Sequence, residues 1–261
     1  GTWTEEFFRE HMPKYSAMID EYVPLAWSLC KKDGMMYTLP GMNYEYLAAP
    51  DVCAWNRDWL DKLEVSEIPT DLDGMVQLMY RIAKEDPDGN GAADTYGLST
   101  SGMTAIYGAY GFQRGKWLDD GSGNVVRGDV MPKAKEALAL LNRLYKDGVL
   151  DPEFITGENQ GGYWALSVPF ENGQIGFSSS GAYYHLAPDF DGPADEETGK
   201  GKNFKYGRTM RTFAETTGYD KMVIGYNPTG PDGKQGGESW GLTTDEAIVF
   251  SYKLADQPEK V

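Results

Sequence analysis

The order of apolar and polar positions divides the chain into short periodic and alternating segments. "TEEFFREHMPKYSAMIDEY" carries a helical periodicity interrupted by Pro13. "DGMMYTLPGMNYEYLAAPDVCAWNRDWL" predicts a turn, a strand to Pro40, an irregular stretch and a second strand, with a Gly-Met-Asn corner between the strands. In "DLDGMVQLMYRIAKE" the apolar residues Leu72, Met75, Val76, Met79, Tyr80 and Ala83 recur at helical spacing, and Thr70 with Asp73 after Pro69 marks the helix start. Trp59, Leu60 and Leu63 fall on one helical face and belong to the core. A short strand "DTYGLST", an apolar helix around Met103 to Tyr110 and a hairpin in "KWLDDGSGNVVRGD", turning on Gly-Ser-Gly, follow. "MPKAKEALALLNRLYKDGVL" is an amphipathic helix with Pro132 in its first turn and Gly148 at its C-terminal cap.

Farther along, "GGYWALSVPFENGQIGFSSSGAYYHL" predicts a helix, a turn at Asn172-Gly173, a buried strand and a small-residue corner leading into aromatics. Asp189 to Tyr219 has little periodicity and predicts a long surface excursion. "KMVIGYNP" and "ESWGLTT" predict strands, and "DEAIVFSYKLADQPEKV" a closing helix. Helices and strands alternate without a repeat, which implies α/β layers.

Composition narrows the function classes. With 41% hydrophobic and 25% charged residues over 261 positions, the chain can bury a large core as one domain or two lobes. The net charge of −16 repels phosphate backbones and anionic leaflets, so nucleic acid and membrane surfaces are excluded as partners; the acidic surface itself serves solubility. No apolar run reaches the roughly 20 residues of a membrane span. "GTWTEEFFREHM" does not read as a signal peptide, so a targeting segment is expected to be removed or outside this sequence. Cys30 and Cys53 fit either free thiols or one bridge, and we expect no bridge. His11 and His185 are too few and too far apart for an imidazole zinc site, and nothing around them builds a Ser-His-Asp triad.

The strongest local pattern is "KEDPDGNGAADTYGLS", residues 84 to 99. Asp86, Asp88, Asn90 and Asp94 hold positions 1, 3, 5 and 9 of an EF-hand-type loop, with Gly91 at 6 and the Ala92 carbonyl at 7. Position 12, where the motif has a bidentate Glu, is Gly97. An Asp/Asn/Gly-rich turn without an ion would look similar, but three carboxylates in nine residues repel one another unless a cation sits among them. The expected cofactor is therefore a structural Ca2+, fastening the end of one helix to the next strand. A cation there lowers carboxylate pKa values and so removes the protonated acid that carboxylate-pair catalysis needs.

"CAWNRDWLDKLEVSEIPTDLDGMVQLMYRIAKEDPDGNGAADTYGLS" closely resembles the segment of extracellular solute-binding proteins of ABC importers that crosses into the second lobe, especially carbohydrate-binding lipoproteins of Gram-positive bacteria. Its markers are the run Arg57-Asp58-Trp59-Leu60, Pro69-Thr70 and the Asp-Pro-Asp-Gly-Asn-Gly loop. "GFQRGKWLDDGSGNVV", "KEALALLNRLYKDGVLDPEF", "FENGQIGFSSSGAYY" and "DEAIVFSYKLADQPEKV" resemble later landmarks in the family's order, so the resemblance spans nearly the whole chain.

The resemblance implies an α/β fold: a periplasmic-binding-protein-like lobe of type II, three-layer α/β/α, forming a fragment of a two-lobe clamshell. Residues 1–40 would end the first-lobe segment with its crossing strand, 41–56 would form the hinge crossing, and 57–261 the second lobe. The family's N-terminal βαβ half and long C-terminal helical part fall outside this chain. It further implies a monomeric, non-enzymatic, extracellular cell-surface lipoprotein that binds a carbohydrate and hands it to ABC permease subunits in the membrane.

Sugars are held by flat aromatic faces against the apolar side of the ring and by planar polar groups at the hydroxyls. Tyr183 matches the family's stacking aromatic at a helix start. Trp240 with Glu238 lies at a strand mouth, and Trp117 opens the hairpin. Ser99 and Ser101 follow the strand after the acidic loop, and Asn43, Tyr44 and Tyr46 lie at the inter-lobe crossing. Each ring could instead be core. The competing enzyme class is a glycoside hydrolase using Glu45 with Glu238 or Asp58, although no spacing indicates carboxylates held about 5 or 6.5–9.5 Å apart. A dockerin-like module would need the acidic loop twice, and it occurs once.

Overall fold

Three helices among the described residues begin where the side chain of a Thr, Asn or Asp accepts from the first turn, at Thr4, Asn56 and Asp71. The computed structural model describes residues 3–41, 52–155, 168–179, 189–194, 196, 201–205, 222–236 and 247–249. In chain order the elements are α1 (Glu5–His11), α2 (Pro13–Tyr22), α3 (Leu25–Leu29), β1 (Lys31–Lys32), β2 (Met35–Met36), β3 (Thr38–Pro40), β4 (Val52–Asn56), α4 (Arg57–Lys62) and α5 (Leu72–Lys84). They continue as β5 (Tyr96–Leu98), α6 (Met103–Ala109), β6 (Trp117–Asp119), β7 (Val125–Arg127), α7 (Pro132–Lys146), α8 (Val168–Glu171), β8 (Ile175–Ser178), β9 (Asp189–Ala194), β10 (Gly201–Lys205), β11 (Met222–Tyr226) and β12 (Ala247–Val249). Two units result: Gly1–Ala48 with Trp240–Val261, and Ala49–Ser239.

In the first unit Thr4 caps α1 by accepting from the Phe7 amide at 3.2 Å, and Pro13 opens α2, where its missing N–H costs no helical bond. Trp3, Phe8, Ile19, Ala26, Trp27, Met36 and Leu39 form its core. Arg9 bridges Glu5 and Asp20, and Asp20 also accepts from the Trp27 indole at 2.9 Å. The expected closing helix is corrected over Ala247–Val249, which pair antiparallel with Pro40, Leu39 and Thr38. The β-branched Ile248 and Val249 suit a strand, and their partners lie some two hundred residues upstream, beyond any local periodicity.

The second unit is built on a four-stranded sheet of order β11-β4-β8-β5, in which only β5 and β8 are parallel. Asp71, one residue beyond the expected Thr70, caps α5 through the Gly74 amide at 2.9 Å. Helix α5 buries Leu72, Met75, Val76, Leu78, Met79 and Ile82. It crosses β5 and β8 over two neighbouring glycines: a Cβ on Gly97 would stand 2.6 Å from Met79 Cβ, and one on Gly176 2.6 Å from Ile82 Cδ1. Trp55 and Phe177, paired across β4 and β8, pack ring to ring at 4.5 Å inside the main core. Trp59, Leu60 and Leu63 are buried, as their helical face predicts. Helix α7 buries Ala134, Ala137, Leu140, Leu141 and Leu144, and Gly148 ends it with a left-handed φ of +69°. The hairpin forms as β6 and β7, with Trp117 opposite Arg127. Within the expected surface excursion, β9 and β10 pair antiparallel. Of the expected crossing at 41–56, residues 42–51 lie outside the described residues.

Candidate functional site

Strand β5 separates two chemically opposite regions. Its N-terminal side carries the acidic loop. Asp86 leaves α5 with a left-handed φ of +48°, and Gly89 and Gly91 follow at +72° and +78°. The chain then curls inward: Asp86 Oδ2 accepts from the Gly91 amide at 3.0 Å, and Asn90 Oδ1 from the Ala92 amide at 2.6 Å. The Asn90 amide nitrogen donates to Asp88 Oδ2 at 2.7 Å and to both Asp94 oxygens at 3.2 Å. Thr95 ties the loop's exit to the Ile82 carbonyl at 3.0 Å. Asp86 Oδ1 is buried without a hydrogen-bond partner among the described residues. A hydrogen bond from Asp88 holds the Asp86 carboxyl below its ordinary value, whereas burial, then that shared bond, raises Asp88.

Among the described residues no three His, Cys, Asp or Glu side chains stand arranged as a ready metal cluster. The Asn90 amide group fills the space between Asp88 and Asp94, its N–H groups supplying the positive charge the carboxylates require. The donor set of Asp86, Asp88, Asn90, the Ala92 carbonyl and Asp94 is nevertheless all oxygen, the chemistry a hard cation takes. The orphaned Asp86 oxygen is a buried acceptor without a donor, which fits a cation. Gly97, at the motif's last position, is occupied by packing against Met79 and has no room for a carboxylate side chain.

The C-terminal side of β5 carries the other region. In open α/β sheets ligands bind outside the carboxyl ends of the strands, and parallel β5 and β8 both end here. Ser99 is 0% exposed and donates to Asp151 at 2.9 Å; Asp151 in turn accepts from the Glu153 amide. Ser101 is also 0% exposed; its carbonyl accepts from the Ser179 amide and hydroxyl at 2.9 and 3.0 Å, and its own hydroxyl has no partner among the described residues. Ser179 further meets Thr104 at 2.9 Å. Gly102 permits this closure, since a Cβ there would lie 2.9 Å from Leu98 Cβ. The two predicted serines thus stitch the strand ends together.

Beyond them a recess of about 310 Å³ opens between Thr100, Thr104, Gln113, Arg114 and Arg127. A second, of about 330 Å³, lies on the other side of Gln113 with Lys234 and Gln235 in its wall. A larger apolar cavity of about 680 Å³ shares Met103, Tyr107 and Arg114 with the first. Trp117 is 67% exposed. As Arg127's directly opposite partner in the hairpin, it shares that face. Arg127 holds Asp129 at 2.7 Å, which keeps that carboxyl below its ordinary value.

Sequence reasoning did not single out Gln113, Arg114 or Arg127. The signal was present, because a hairpin turning on Gly-Ser-Gly sets Arg127 across from Trp117. Asn43, Tyr44, Tyr46, Tyr183, Glu238 and Trp240 lie outside the described residues. No helix among the described residues is long and apolar enough to cross a membrane.

No family model matches the chain, and no curated protein matches it. Solved structures do. The S. pneumoniae ABC-transporter substrate binding protein FusA, an EF-hand mutant in complex with fructo-nystose, matches at TM-score 0.61 and 18% identity over 98% of this chain and 49% of its own. The HMO-binding ABC-transporter-associated solute binding protein from Bifidobacterium longum infantis matches at TM-score 0.59 and 18% identity, over 95% and 49%. Maltose-bound T. maritima MalE3 matches at TM-score 0.56 and 17% identity, over 99% and 58%. The chain has the α/β fold of the type II solute-binding proteins of ABC transporters and spans about half the length of the structures it matches.

Proposed function

We infer that the chain is part of the extracytoplasmic solute-binding component of an ABC importer, taking up a carbohydrate, with an oligosaccharide as the preferred class. The observation that carries this reading is a recess lined by hydroxyl, amide and guanidinium groups at the carboxyl ends of β5 and β8, one of whose lining residues, Arg127, is the cross-strand partner of the exposed Trp117. A flat ring next to planar hydrogen-bonding groups is what a pyranose requires. The sugars bound by the similar structures support it. Residues 1–40 then serve as first-lobe segment, 41–56 as crossing and 57–239 as second lobe, with Trp240–Val261, which the sequence reading put in the second lobe, grouped with the first unit. Tyr183, Trp240, Glu238, Asn43, Tyr44 and Tyr46, which lie outside the described residues, stay as solute contacts expected from the sequence, and Ser99 and Ser101 stiffen the floor of the recess. The intact protein works as a monomeric, non-enzymatic lipoprotein at the cell surface and delivers solute to permease subunits.

Asp86, Asp88, Asn90, Ala92 and Asp94 would hold a structural Ca2+ in this reading, and an EF-hand in one similar structure supports it. Binding requires the Asn90 amide to present its oxygen, a half-turn about its last torsion that exchanges donor for acceptor. The ion would supply charge neutralisation and nothing reactive.

A thermal-shift and calorimetric screen against mono- and oligosaccharides tests the reading. Saturable binding that weakens in Trp117→Ala is expected. Turnover of chromogenic glycosides, abolished by Glu238→Gln, would overturn it in favour of a hydrolase.

A further inference from the structure

In a chain carrying 40 Asp and Glu against 24 Lys and Arg, the two recesses flanking Gln113 have the opposite character. Arg114 and Arg127 line one and Lys234 the other, and no carboxylate lines either among the described residues. Lys234 lies against the backbone at Gly111, where a Cβ would stand 2.5 Å from its Cδ. Gln113 lines both recesses, and its side-chain amide nitrogen is buried without a hydrogen-bond partner among the described residues. A buried amide donor left unsatisfied is destabilising, so it marks a place where an acceptor belongs. Asp129, the acid that Arg127 meets among the described residues, is engaged with that guanidinium and with the Gly115 amide.

The geometry points to a carboxylate-bearing saccharide as the solute, a hexuronate unit whose carboxylate is received by Gln113 and Arg114, with Arg127 and Lys234 supplying further positive charge. Guanidinium and primary amide groups are planar double donors that match the two oxygens of a carboxylate. Trp117, on the Arg127 face of the hairpin, is placed to stack on the same ring. In so acidic a protein, uniform electrostatics would repel such a solute; a locally cationic patch overcomes this and makes binding dependent on ionic strength. This assignment rests on the proposed saccharide function.

The test is an NMR titration of the whole chain with an oligo-hexuronate, its carboxyl-reduced neutral counterpart and a sulfated oligosaccharide of the same length. The uronate is expected to bind about tenfold or more tighter than the neutral form, the scale of one charge-assisted hydrogen bond. That ratio should shrink as salt rises from about 0.01 to 0.15 M, where the screening length falls from about 30 to 8 Å. Arg114→Gln and Gln113→Leu should each bring the ratio toward one. Lys234→Gln, which leaves the hairpin intact, should lower it less, with melting curves confirming that all three fold. Equal or tighter binding of the neutral form overturns the carboxylate assignment while leaving a saccharide binder. Tighter binding of the sulfated form overturns it in favour of another oxyanion. Failure of all three, together with failure of a wider neutral panel, overturns the saccharide function and this inference with it.

Discussion

The two ends of β5 carry opposite chemistry. Before Tyr96 the chain gathers carboxylates into a tight curl around the Asn90 amide; after Leu98 it gathers hydroxyls and amide and guanidinium donors around an open recess. A strand of three residues separates an end suited to a cation from an end suited to a solute rich in acceptors. The difference shows how an acidic protein can host both: the carboxylates of the loop and the donors of the recess gather at opposite ends of one strand, over which α5 crosses on a floor of glycine.

The largest effect is therefore expected at that crossing. Gly97→Val places a branched side chain where even a Cβ would meet Met79 at 2.6 Å, and should cost about 3 kcal/mol. Urea unfolding monitored by Trp fluorescence would check it; a change within ~0.5 kcal/mol would mean the helix can shift freely. Next comes the acidic end. If calcium is bound at about a hundredfold over its dissociation constant, removing it with EGTA should cost roughly 2.7 kcal/mol, and Asp88→Asn combined with Asp94→Asn should abolish the response. An identical melting curve with and without chelator, and no calcium by mass spectrometry, would remove the ion from the account.

At the opposite end, Trp117→Ala should weaken saccharide binding roughly two- to tenfold, the range of an aromatic contact. Its melting temperature should be unchanged because the ring is 67% exposed. The smallest effect is on pH. Arg127 depresses the Asp129 pKa, so that pair contributes stability above the ordinary carboxylate value and loses it as pH falls through the depressed one. Melting curves between about pH 5 and 2 should therefore show a slight extra loss in the parent that Asp129→Asn lacks, erased by salt because the pair is exposed.

Much of the fold could be read from local pattern, and the limits have physical causes. Helix α7 and the β6–β7 hairpin announce themselves because periodicity, Pro132, Gly148 and Gly-Ser-Gly all act within a few residues. Strand β12 does not, since its pairing with β3 is a contact between distant parts of the chain that overrides a helical pattern. Gly97 looked like a missing ligand in the loop motif, and packing shows why: the α5 crossing claims the position. Ser99 and Ser101 were read as hydroxyls at a strand end, as they are, but the partner that buries Ser99, Asp151, lies 52 residues on. Trp117 was legible as an exposed ring, whereas Arg114 and Gln113 become visible only once α6 turns the chain back toward the hairpin.

The most direct test of the account follows backbone amide NMR shifts while the chain is titrated with a binding oligosaccharide in the presence of calcium. Shifts should concentrate at Thr100, Thr104, Gln113 to Trp117 and Arg127, leaving residues 86 to 94 unmoved. Shifts centred on the acidic loop, with the recess silent, would contradict the assignment of the two ends.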